Sequence, residues 1–272
     1  HLSPILFLHF SAAELTSNSV PYASKIIALI FFIIKLVAMS YIRLFFKEHL
    51  SINFNSNLDK SQSHYISKVM RIKEGENFYL FNNTGEWKVR IEEIRKGIVN
   101  FIVIKKMKNV ENTSEIWLAF TPIKLNYLNF MIQKATELGV TKFIPILTDR
   151  TIVRQINRER INKIIIEASE QSERIKIPKL EKLIKFKEFL KLYEDTDIFF
   201  GDLNSPSIKI KINNKHPICI LIGPEGDFSE KERISISNSK NFLPIKINKN
   251  ILRSETAAIS MISIISYKLL SK

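Results

Sequence analysis

The fold of the chain is decided by a stretch in which an apolar run meets a glycine-containing turn, Leu221-Ile222-Gly223-Pro224-Glu225-Gly226-Asp227-Phe228-Ser229. The apolar residues 218–222 predict a buried strand, and Ser229 is a typical N-cap for the helix predicted over residues 229–239. In open parallel sheets, ligands bind outside the carboxyl ends of the strands. The turn between this strand and this helix is therefore a candidate ligand site.

Strand-like and helical segments alternate on both sides of this turn. Further strands are predicted over residues 116–120, 143–147, 197–200 and 243–247. Further helices are predicted over residues 125–138, 156–172 and 255–270. Such alternation indicates an α/β fold, in which helices cover both faces of a parallel sheet.

The pattern changes in residues 41–106, which favour a small β-rich domain. Strands are predicted over residues 78–81, 87–95 and 98–106, where β-branched and aromatic residues are frequent. One helix is predicted over residues 59–75, with Asp59 as its N-cap and Gly75 as its end. The polar residues 107–115 show no apolar periodicity and are a candidate linker.

The first 38 residues are unlike the rest of the chain. Their apolar run, residues 26–34, is shorter than the roughly 20 residues of a membrane-spanning helix, and no compact basic region precedes it as in a signal peptide. Met39, followed by Ser-Tyr-Ile-Arg, looks like a translation start. We expect residues 1–38 to lie upstream of the biological start. A membrane anchor or a signal peptide is the alternative.

The charge balance points to a polyanionic partner. The chain carries 41 Lys and Arg against 27 Asp and Glu, a formal net charge of +14. RNA, DNA and an anionic membrane all fit this charge, although a genome that favours lysine would produce the same balance.

Cys219 is the only cysteine, which excludes an intrachain disulfide and a cysteine-rich metal site and indicates a reducing cytoplasm. No clustered set of ligating residues predicts a metal ion.

The turn at residues 223–226 favours a ligand without phosphate groups. Gly223 and Gly226 let the main chain approach a ligand closely, and Pro224 stiffens the turn. The carboxylate of Glu225 would repel a phosphate, whereas the cationic sulfonium of S-adenosylmethionine is compatible with it. The alternative is an ordinary strand-to-helix turn.

A second polar loop, residues 247–253, leads into the last predicted helix. Ser254 is a candidate N-cap for that helix, and Glu255 lies in its first turn. Arg253 is costly to bury without a carboxylate or RNA partner. It is otherwise a solvated arginine, or it forms a salt bridge to Glu255 or Glu225.

Two further polar segments lie at helix ends, Gln133-Lys134-Ala135-Thr136-Glu137-Leu138-Gly139-Val140 and Glu167-Ala168-Ser169-Glu170-Gln171-Ser172-Glu173-Arg174. Their spacing alone is typical of amphipathic helices with solvated faces. In this order with the two loops, however, they resemble the ribosomal RNA small subunit methyltransferase E family, whose members methylate N3 of a uridine in 16S rRNA. The resemblance runs from about Tyr41 to the carboxyl terminus. It includes a weaker amino-terminal pattern, His64, Val69, Met70, Arg71 and Gly75.

The resemblance implies a PUA-like β-barrel RNA-binding domain over residues 39–110. It implies a SPOUT methyltransferase domain with a carboxyl-terminal trefoil knot over residues 111–272. It further implies S-adenosylmethionine as the cofactor and 16S rRNA within the small ribosomal subunit as the substrate. The family resemblance also predicts a cytoplasmic homodimer that uses no membrane and no metal.

Three kinds of site are predicted, from the resemblance and from the chemistry of the residues. Catalytic roles are expected of Arg253, Glu225 and Glu255. Arg253 would stabilise the charge that develops on the uridine, a carboxylate would orient it, and no residue is identified as the base. The cofactor loops would comprise Leu221, Ile222, Gly223, Pro224, Glu225, Gly226, Ile247, Ile251, Leu252, Arg253 and Thr256. RNA binding is expected of Lys68, Arg71, Lys73 and Lys88 because they are cationic residues of the amino-terminal domain. It is also expected of Lys124, where the family has a lysine ahead of its first long helix, and of Arg150, at the end of a strand-to-loop segment that matches the family.

Three positions depart from the family pattern. Asp227 and Glu173 stand where the family usually has glycine, and Asn250 stands where it usually has arginine. If these departures removed cofactor binding, the chain would be a non-catalytic RNA-binding or ribosome-assembly protein. A knotted RNA methyltransferase with a different target base is the nearer alternative. A dinucleotide-binding enzyme is disfavoured because no GxGxxG motif follows the first strand of a βαβ unit.

Overall fold

The computed structural model describes residues 42–110, 114–205 and 217–271. The expectation about residues 1–38 lies outside these described residues. Within them the chain forms one sheet of five strands and one of seven. None of the described helices has the length and apolar character needed to cross a bilayer. The described residues also contain no group of three acidic, histidine or cysteine side chains arranged to hold a metal ion.

The five-stranded sheet is built from residues of the amino-terminal region. Its strands are β1 (Arg43–Phe45), β2 (Asn55–Asn57), β3 (Asn77–Asn82), β4 (Gly85–Arg95) and β5 (Ile98–Lys108). They lie in the order β1-β3-β4-β5-β2. The antiparallel strands β3, β4 and β5 confirm the three strands predicted from the sequence. Because β5 runs to Lys108, the predicted linker begins inside a strand.

The helix predicted over residues 59–75 was too long. The segment consists of two short helical pieces, α1 (Lys60–His64) and a π-helical turn (Tyr65–Val69). Asp59 caps α1 as predicted. Arg71, with φ at 57°, is the first left-handed residue after these pieces, and the predicted end Gly75 is left-handed as well, with φ at 82°. Because an arginine pays about 1–2 kcal/mol to adopt that conformation, the sequence pattern favoured the glycine.

The seven-stranded sheet is built from the remaining strands. They are β6 (Ile116–Phe120), β7 (Lys142–Leu147), β8 (Lys179–Leu180), β9 (Ile184–Lys185), β10 (Asp197–Gly201), β11 (Ile218–Ile222) and β12 (Phe242–Ile245). The order is β12-β10-β11-β6-β7-β8, with β9 also on β7, and every pairing is parallel. The α/β fold class is therefore confirmed. Strand β12 ends before Ile247, which lies in the loop that follows and not in the strand as predicted.

Helices cover both faces of the parallel sheet. They are α2 (Leu125–Glu137), α3 (Arg158–Gln171), α4 (Phe186–Leu192), α5 (Glu230–Asn238) and α6 (Ser254–Leu270). One apolar core joins the sheet to α2, α3 and α6, and a second joins it to α4 and α5. Helix α4 was not predicted, since its seven residues are too few to show a helical period.

The two sheets are joined through Arg43, a buried arginine on β1. Its Nε donates to Glu86 at 2.9 Å within the same sheet. Its terminal nitrogens donate at 2.8 Å each to the carbonyl oxygens of Ser169 and Arg174, at the end of α3. The guanidinium also lies 3.6 Å from the ring centroid of Phe81. A charged group of the amino-terminal unit is thus bonded into the main chain of the carboxyl-terminal unit.

Two half-buried side chains, Glu170 and Arg174, extend this contact. Glu170 accepts a hydrogen bond from the main-chain N–H of Phe45 at 2.9 Å, while burial raises the pKa of its carboxyl group. Arg174 donates to the carbonyl oxygens of Thr136 and Val140, and burial lowers its pKa to about 10. We call Arg43, Glu86, Glu170 and Arg174 the junction cluster. The prediction that the two polar helix-end segments are solvated was therefore wrong for Glu170 and Arg174.

Candidate active site

Three neighbouring strands end at the same edge of the parallel sheet. The register pairs Phe200 on β10 with Leu221 on β11 and with Pro244 on β12. The segments that follow these strands therefore emerge side by side. We call residues 223–228, after β11, the glycine loop, and residues 246–253, after β12, the arginine loop.

The residue types of the glycine loop explain its backbone conformation. The ring of Phe228 lies against Gly223. A Cβ atom added to Gly223 would be 2.8 Å from that ring. Asp227 has φ at 62°, the left-handed region in which glycine is favoured. Its carboxylate accepts a hydrogen bond from the N–H of Phe228 at 2.7 Å and pairs with Arg233. Aspartate is among the few residues that adopt this conformation readily, so the departure from the family glycine preserves the loop.

The glycine loop is fixed by its neighbours. Arg150, after β7, donates to the carbonyl oxygen of Gly226 at 2.9 Å. Ser229 caps α5 as predicted and forms a capping box with Glu232. The same two side chains bind Asp149, since Ser229 donates to its carboxylate at 2.6 Å and Glu232 accepts from its N–H at 2.9 Å. The loop is thus held between α5 and the segment after β7.

The arginine loop touches the glycine loop at the start of α6. The prediction that Ser254 caps this helix was wrong, because Arg253 occupies the N-cap position and makes no side-chain capping bond. The hydroxyl of Ser254 instead donates to the carbonyl oxygen of Gly223 at 3.4 Å. The N–H groups of Ile251 and Leu252 have no hydrogen-bond partner among the described residues, which leaves them available to a ligand.

Arg253 presents an exposed guanidinium at this edge. One terminal nitrogen donates to the hydroxyl of Tyr127 on α2 at 3.1 Å, and the guanidinium carbon lies 5.4 Å from the tyrosine ring centroid. Within the part of the chain that the structure describes, Arg253 forms no ion pair, so neither Glu225 nor Glu255 is its salt-bridge partner. Its charge is held in place and remains available to an anion.

The two candidate catalytic carboxylates lie on the segments that meet here. Glu225 is exposed in the glycine loop. Glu255 is only 9% exposed and lies in the first turn of α6, where the positive end of the helix favours a carboxylate. Because Ser254 bonds to Gly223, both segments lie at one place on the sheet edge. The structure therefore brings the three predicted catalytic residues to the same edge.

The predicted cofactor residues differ in what they offer to a ligand. Leu221 and Ile222 are buried on opposite faces of β11, so only their main-chain groups are accessible. Ile247 is half-buried and lies close to Gly201. A Cβ atom added to Gly201 would be 3.2 Å from the Ile247 side chain. Ile251 is 87% exposed. The remaining ones are the buried Pro224, the half-buried Leu252 and the exposed Thr256 in α6.

The edge has groups that suit a nucleoside with a positive charge. Thr121, directly after β6, has a buried hydroxyl without a partner among the described residues, and its N–H bonds to the carbonyl oxygen of Ile222. The arginine loop adds free main-chain N–H groups and the apolar side chain of Leu252. Glu225 is the charged side chain of the segment 223–226. These donors, apolar surfaces and the carboxylate fit S-adenosylmethionine.

The predicted RNA-binding residues fall in two places. Lys124 and Arg150 line a small crevice with Pro224 and Glu225 beside the glycine loop. The other four lie on the amino-terminal unit: Lys68, Arg71 and Lys73 are exposed in or just after the π-helical turn, and Lys88 is half-buried in β4 opposite Lys105.

Sequence reasoning missed Tyr127, Asp149 and Thr121 at this site. Tyr127 lies in the first turn of α2, where an exposed aromatic residue could have been noticed next to the apolar positions. Asp149 and Thr121 follow strand ends, but their roles depend on contacts with Ser229 and Ile222, about 80 and 100 positions away in the sequence. Local spacing gives no signal for such contacts.

Comparison with known families defines the class of protein. Residues 110–266 match the family described as RNA methyltransferase domain, and residues 58–104 match the family described as RNA methyltransferase PUA domain. The parallel sheet and the sheet before it are therefore those of an RNA methyltransferase with a PUA domain.

Individual relatives define the family. The ribosomal RNA small subunit methyltransferase E of Rickettsia conorii is 34% identical, over 83% of this chain and 95% of its own length. The protein of the same name from Bacillus subtilis is 30% identical, over 75% of this chain and 87% of its own length. The chain belongs to the ribosomal RNA small subunit methyltransferase E family.

Solved structures agree with this assignment. The ribosomal RNA small subunit methyltransferase E of Neisseria gonorrhoeae, solved with S-adenosylmethionine bound, has a TM-score of 0.74 and 26% identity, covering 83% of this chain and 97% of its own. A methyltransferase structure from Legionella pneumophila, also with bound cofactor, has a TM-score of 0.76 and 27% identity, covering 84% and 98%. The carboxyl-terminal knot stays a prediction.

Proposed function

We propose that the chain transfers a methyl group from S-adenosylmethionine to N3 of a uridine in 16S rRNA of the small ribosomal subunit. The observation that carries this proposal is Arg253, an oriented guanidinium without an ion-pair partner in the described structure, at the edge where the two loops meet. The names of the relatives and the cofactor bound to the solved neighbours support the reaction class. The choice of uridine N3 rests on the family resemblance, and an arginine that can stabilise developing negative charge supports it.

Arg253 addresses the main difficulty of this reaction. When bound, S-adenosylmethionine supplies an electrophilic methyl group. The N3–H of uridine is only weakly acidic, so the chain has to align N3 and stabilise the negative charge that develops on the uracil carbonyl oxygens as the proton leaves. The Tyr127 hydroxyl accepts one N–H of Arg253 and fixes its orientation. The remaining guanidinium donors are available to those oxygens.

The carboxylates of Glu225 and Glu255 have positioning roles in this proposal. Glu225, exposed in the glycine loop, orients the uracil ring and faces the positive charge of the cofactor. Glu255, nearly buried in the first turn of α6, is stabilised as a carboxylate by the positive end of that helix, next to Arg253 in the sequence. Because the N3 edge is base-paired in a duplex, the target uridine is single-stranded or turned out of its helix when it binds.

The rest of the RNA is held on both units. Lys124 and Arg150 flank the glycine loop, and Lys68, Arg71 and Lys73 present charges on the amino-terminal unit. Phosphate contacts of this kind position the RNA and carry no sequence information. The junction cluster fixes the two units against each other, so an RNA held by one is presented in a constant orientation to the other.

The proposed active form is a homodimer. Helices α2 and α6 pack against each other and leave large apolar side chains exposed. These are Leu125, Tyr127, Phe130, Tyr267 and Leu270. A second copy of the chain that covers this surface would remove it from water. Sedimentation equilibrium tests this proposal, because Phe130→Glu with Tyr267→Glu should produce a monomer, whereas Ile52→Glu, at an exposed apolar residue of the other unit, should leave the association unchanged.

The decisive experiment is mass spectrometry of nucleosides. Small ribosomal subunits that lack the modification are incubated with the full chain and S-adenosylmethionine, in parallel with Arg253→Ala and with the exposed control Arg160→Ala. We expect 3-methyluridine with the wild type and the control and its loss with Arg253→Ala. A different methylated nucleoside would contradict the proposed target and retain the reaction class. Binding of cofactor without any methylation would contradict the proposed activity.

A further inference from the structure

A cleft of about 470 Å³ opens beside the glycine loop, on the face of the sheet that α4 and α5 cover. Four cationic side chains line it, from three separate segments: Arg154, Lys185, Lys187 and Lys231. Two acidic side chains, Asp149 and Glu232, line it as well. The cleft therefore has an excess of positive charge, and its cations are brought together by the fold, since up to 77 positions separate them in the sequence.

The acidic side chains of the cleft are already engaged. The two carboxylate oxygens of Glu232 accept hydrogen bonds at 2.9 Å each, from the N–H groups of Asp149 and Ser229. The carboxylate of Asp149 accepts the hydroxyl of Ser229 at 2.6 Å. Both acids thus hold the glycine loop and α5 in place, and neither forms an ion pair with a cleft cation among the described residues.

The cationic side chains have almost no partners. Arg154 makes a single contact with the carbonyl oxygen of Thr151, at 3.4 Å. The side-chain ammonium groups of Lys185, Lys187 and Lys231 have no hydrogen-bond or ion-pair partner within the described part of the chain, and all three residues are exposed. Four cations against two carboxylates give the cleft a net positive charge, and such a cleft attracts an anion because it concentrates the field of the charges that line it.

The cleft shares a wall with the cofactor edge. Phe186, which lines the cleft, has its ring centroid 5.6 Å from that of Phe228. Phe228 in turn lies against Gly223. One layer of aromatic rings thus separates the cleft from the loop that we propose to hold the cofactor. An extended polymer that reaches one of these sites would reach the other.

We infer that this cleft binds backbone phosphate groups of the substrate RNA, on the side of the target nucleotide that faces α4 and α5. The inference rests on the proposed function for the identity of the polymer. Lysines carry compact charges on flexible stems, which suits phosphates in varied positions and gives no base readout. The cleft would therefore fix the path of the strand, while the cofactor edge selects the base.

Salt-dependent binding tests the inference without using methylation. The affinity of the full chain for a fluorescent single-stranded oligouridylate is measured by anisotropy at increasing KCl concentration. Lys187→Gln with Lys231→Gln removes two cleft charges. Lys191→Gln with Lys240→Gln is the matched control, because it removes the same charge from α4 and from the end of α5 at exposed positions outside the cleft.

We expect the cleft variant to reduce the slope of log K against log salt by about 1.4, since each phosphate contact on a single strand contributes about 0.7. The control should keep the wild-type slope. On small subunits, the cleft variant should raise KM and leave kcat and cofactor affinity unchanged, because these lysines do not touch the reacting atoms.

Three results would overturn the inference. Equal slopes for both double variants would mean that the lysines act only through the overall charge. A fall in kcat with unchanged KM would place them in the chemistry instead. Displacement of the RNA by inorganic phosphate at matched ionic strength, at concentrations near the RNA Kd, would assign the cleft to free phosphate. Absence of methylation by the wild type, with the slope difference retained, would contradict the proposed function and leave the RNA site standing.

Discussion

Two arginines of this chain have opposite surroundings. The side chain of Arg43 is 2% exposed and donates to Glu86, Ser169 and Arg174. Arg253 is exposed, and one tyrosine hydroxyl is the hydrogen-bond partner of its side chain among the described residues. A buried guanidinium is tolerated only when its donors are satisfied, whereas an exposed one can keep donors for a ligand. The number of satisfied donors, more than the residue type, separates a structural arginine from a functional one.

Replacing Arg43 should have the largest effect on stability. Arg43→Ala removes the charge opposite the buried carboxylate of Glu86 and the donors that hold the end of α3. We expect a loss of about 3–5 kcal/mol in the free energy of unfolding, because loss of one partner from a buried ion pair leaves the other charge poorly compensated. Urea denaturation followed by circular dichroism measures it. Arg90→Ala, which breaks an exposed pair with Glu92, should cost less than about 1 kcal/mol. Similar losses for the two variants would contradict a structural role for Arg43.

Replacing Arg253 should have the largest effect on activity. Arg253→Ala should lower kcat about 10²–10³-fold, as expected for a donor that stabilises charge in the transition state. The free energy of unfolding should change by no more than about 0.5 kcal/mol, because the side chain is exposed. Single-turnover methylation of small subunits measures turnover, and calorimetry with S-adenosylmethionine measures cofactor affinity. Tyr127→Phe should lower kcat less, since it removes only the orienting bond. Equal losses of turnover and cofactor affinity would make Arg253 a cofactor ligand.

The difference between the two arginines also explains what the sequence predicted. The parallel sheet, the Ser229 cap and the polar loops follow from local periodicity and capping chemistry, and the structure has them. Arg43 was not predicted at all, because its partners lie 126 and 131 positions away in the sequence. Contacts of this length leave no mark on spacing within one helix or strand.

Backbone conformation accounts for the other errors. The helix end was assigned to Gly75, but the helical turn ends at Val69 and Arg71 already adopts the left-handed conformation. Ser254 was assigned as an N-cap because of its residue type, but its hydroxyl bonds to Gly223 on another loop. In both cases a tertiary contact or a strained backbone overrode the local preference. Such overrides are expected near functional sites.

Replacing Ser229, the N-cap of α5, tests whether the glycine loop depends on the helix that follows it. Ser229→Ala should cost about 1–2 kcal/mol, because it removes both the helix cap and the hydrogen bond to Asp149. It should also raise the Kd for S-adenosylmethionine, since Ser229 directly follows the glycine loop. Ser237→Ala on the same helix is the control, and it should stay within about 0.5 kcal/mol of the wild type. Thermal unfolding and calorimetry distinguish them. An unchanged Kd beside a clear loss of stability would show that the loop does not depend on the cap.

The smallest expected effect is a gain in stability at Glu173, next to the junction cluster. Glu173 has φ at 56° just after α3, at a position where glycine is favoured. Its ion pair with Lys108, at 3.4 Å, is exposed and contributes little. Glu173→Gly should therefore raise the free energy of unfolding by about 1 kcal/mol, because a left-handed non-glycine residue costs about that much.

Glu173→Ala is the matched control, since it removes the same ion pair and keeps the strain, and it should give no gain. Equal stabilities for the glycine and alanine variants would show that the backbone at this position is relaxed. Methylation by either variant should remain at the wild-type rate, because the strained residue lies at the junction and not at the edge that holds Arg253.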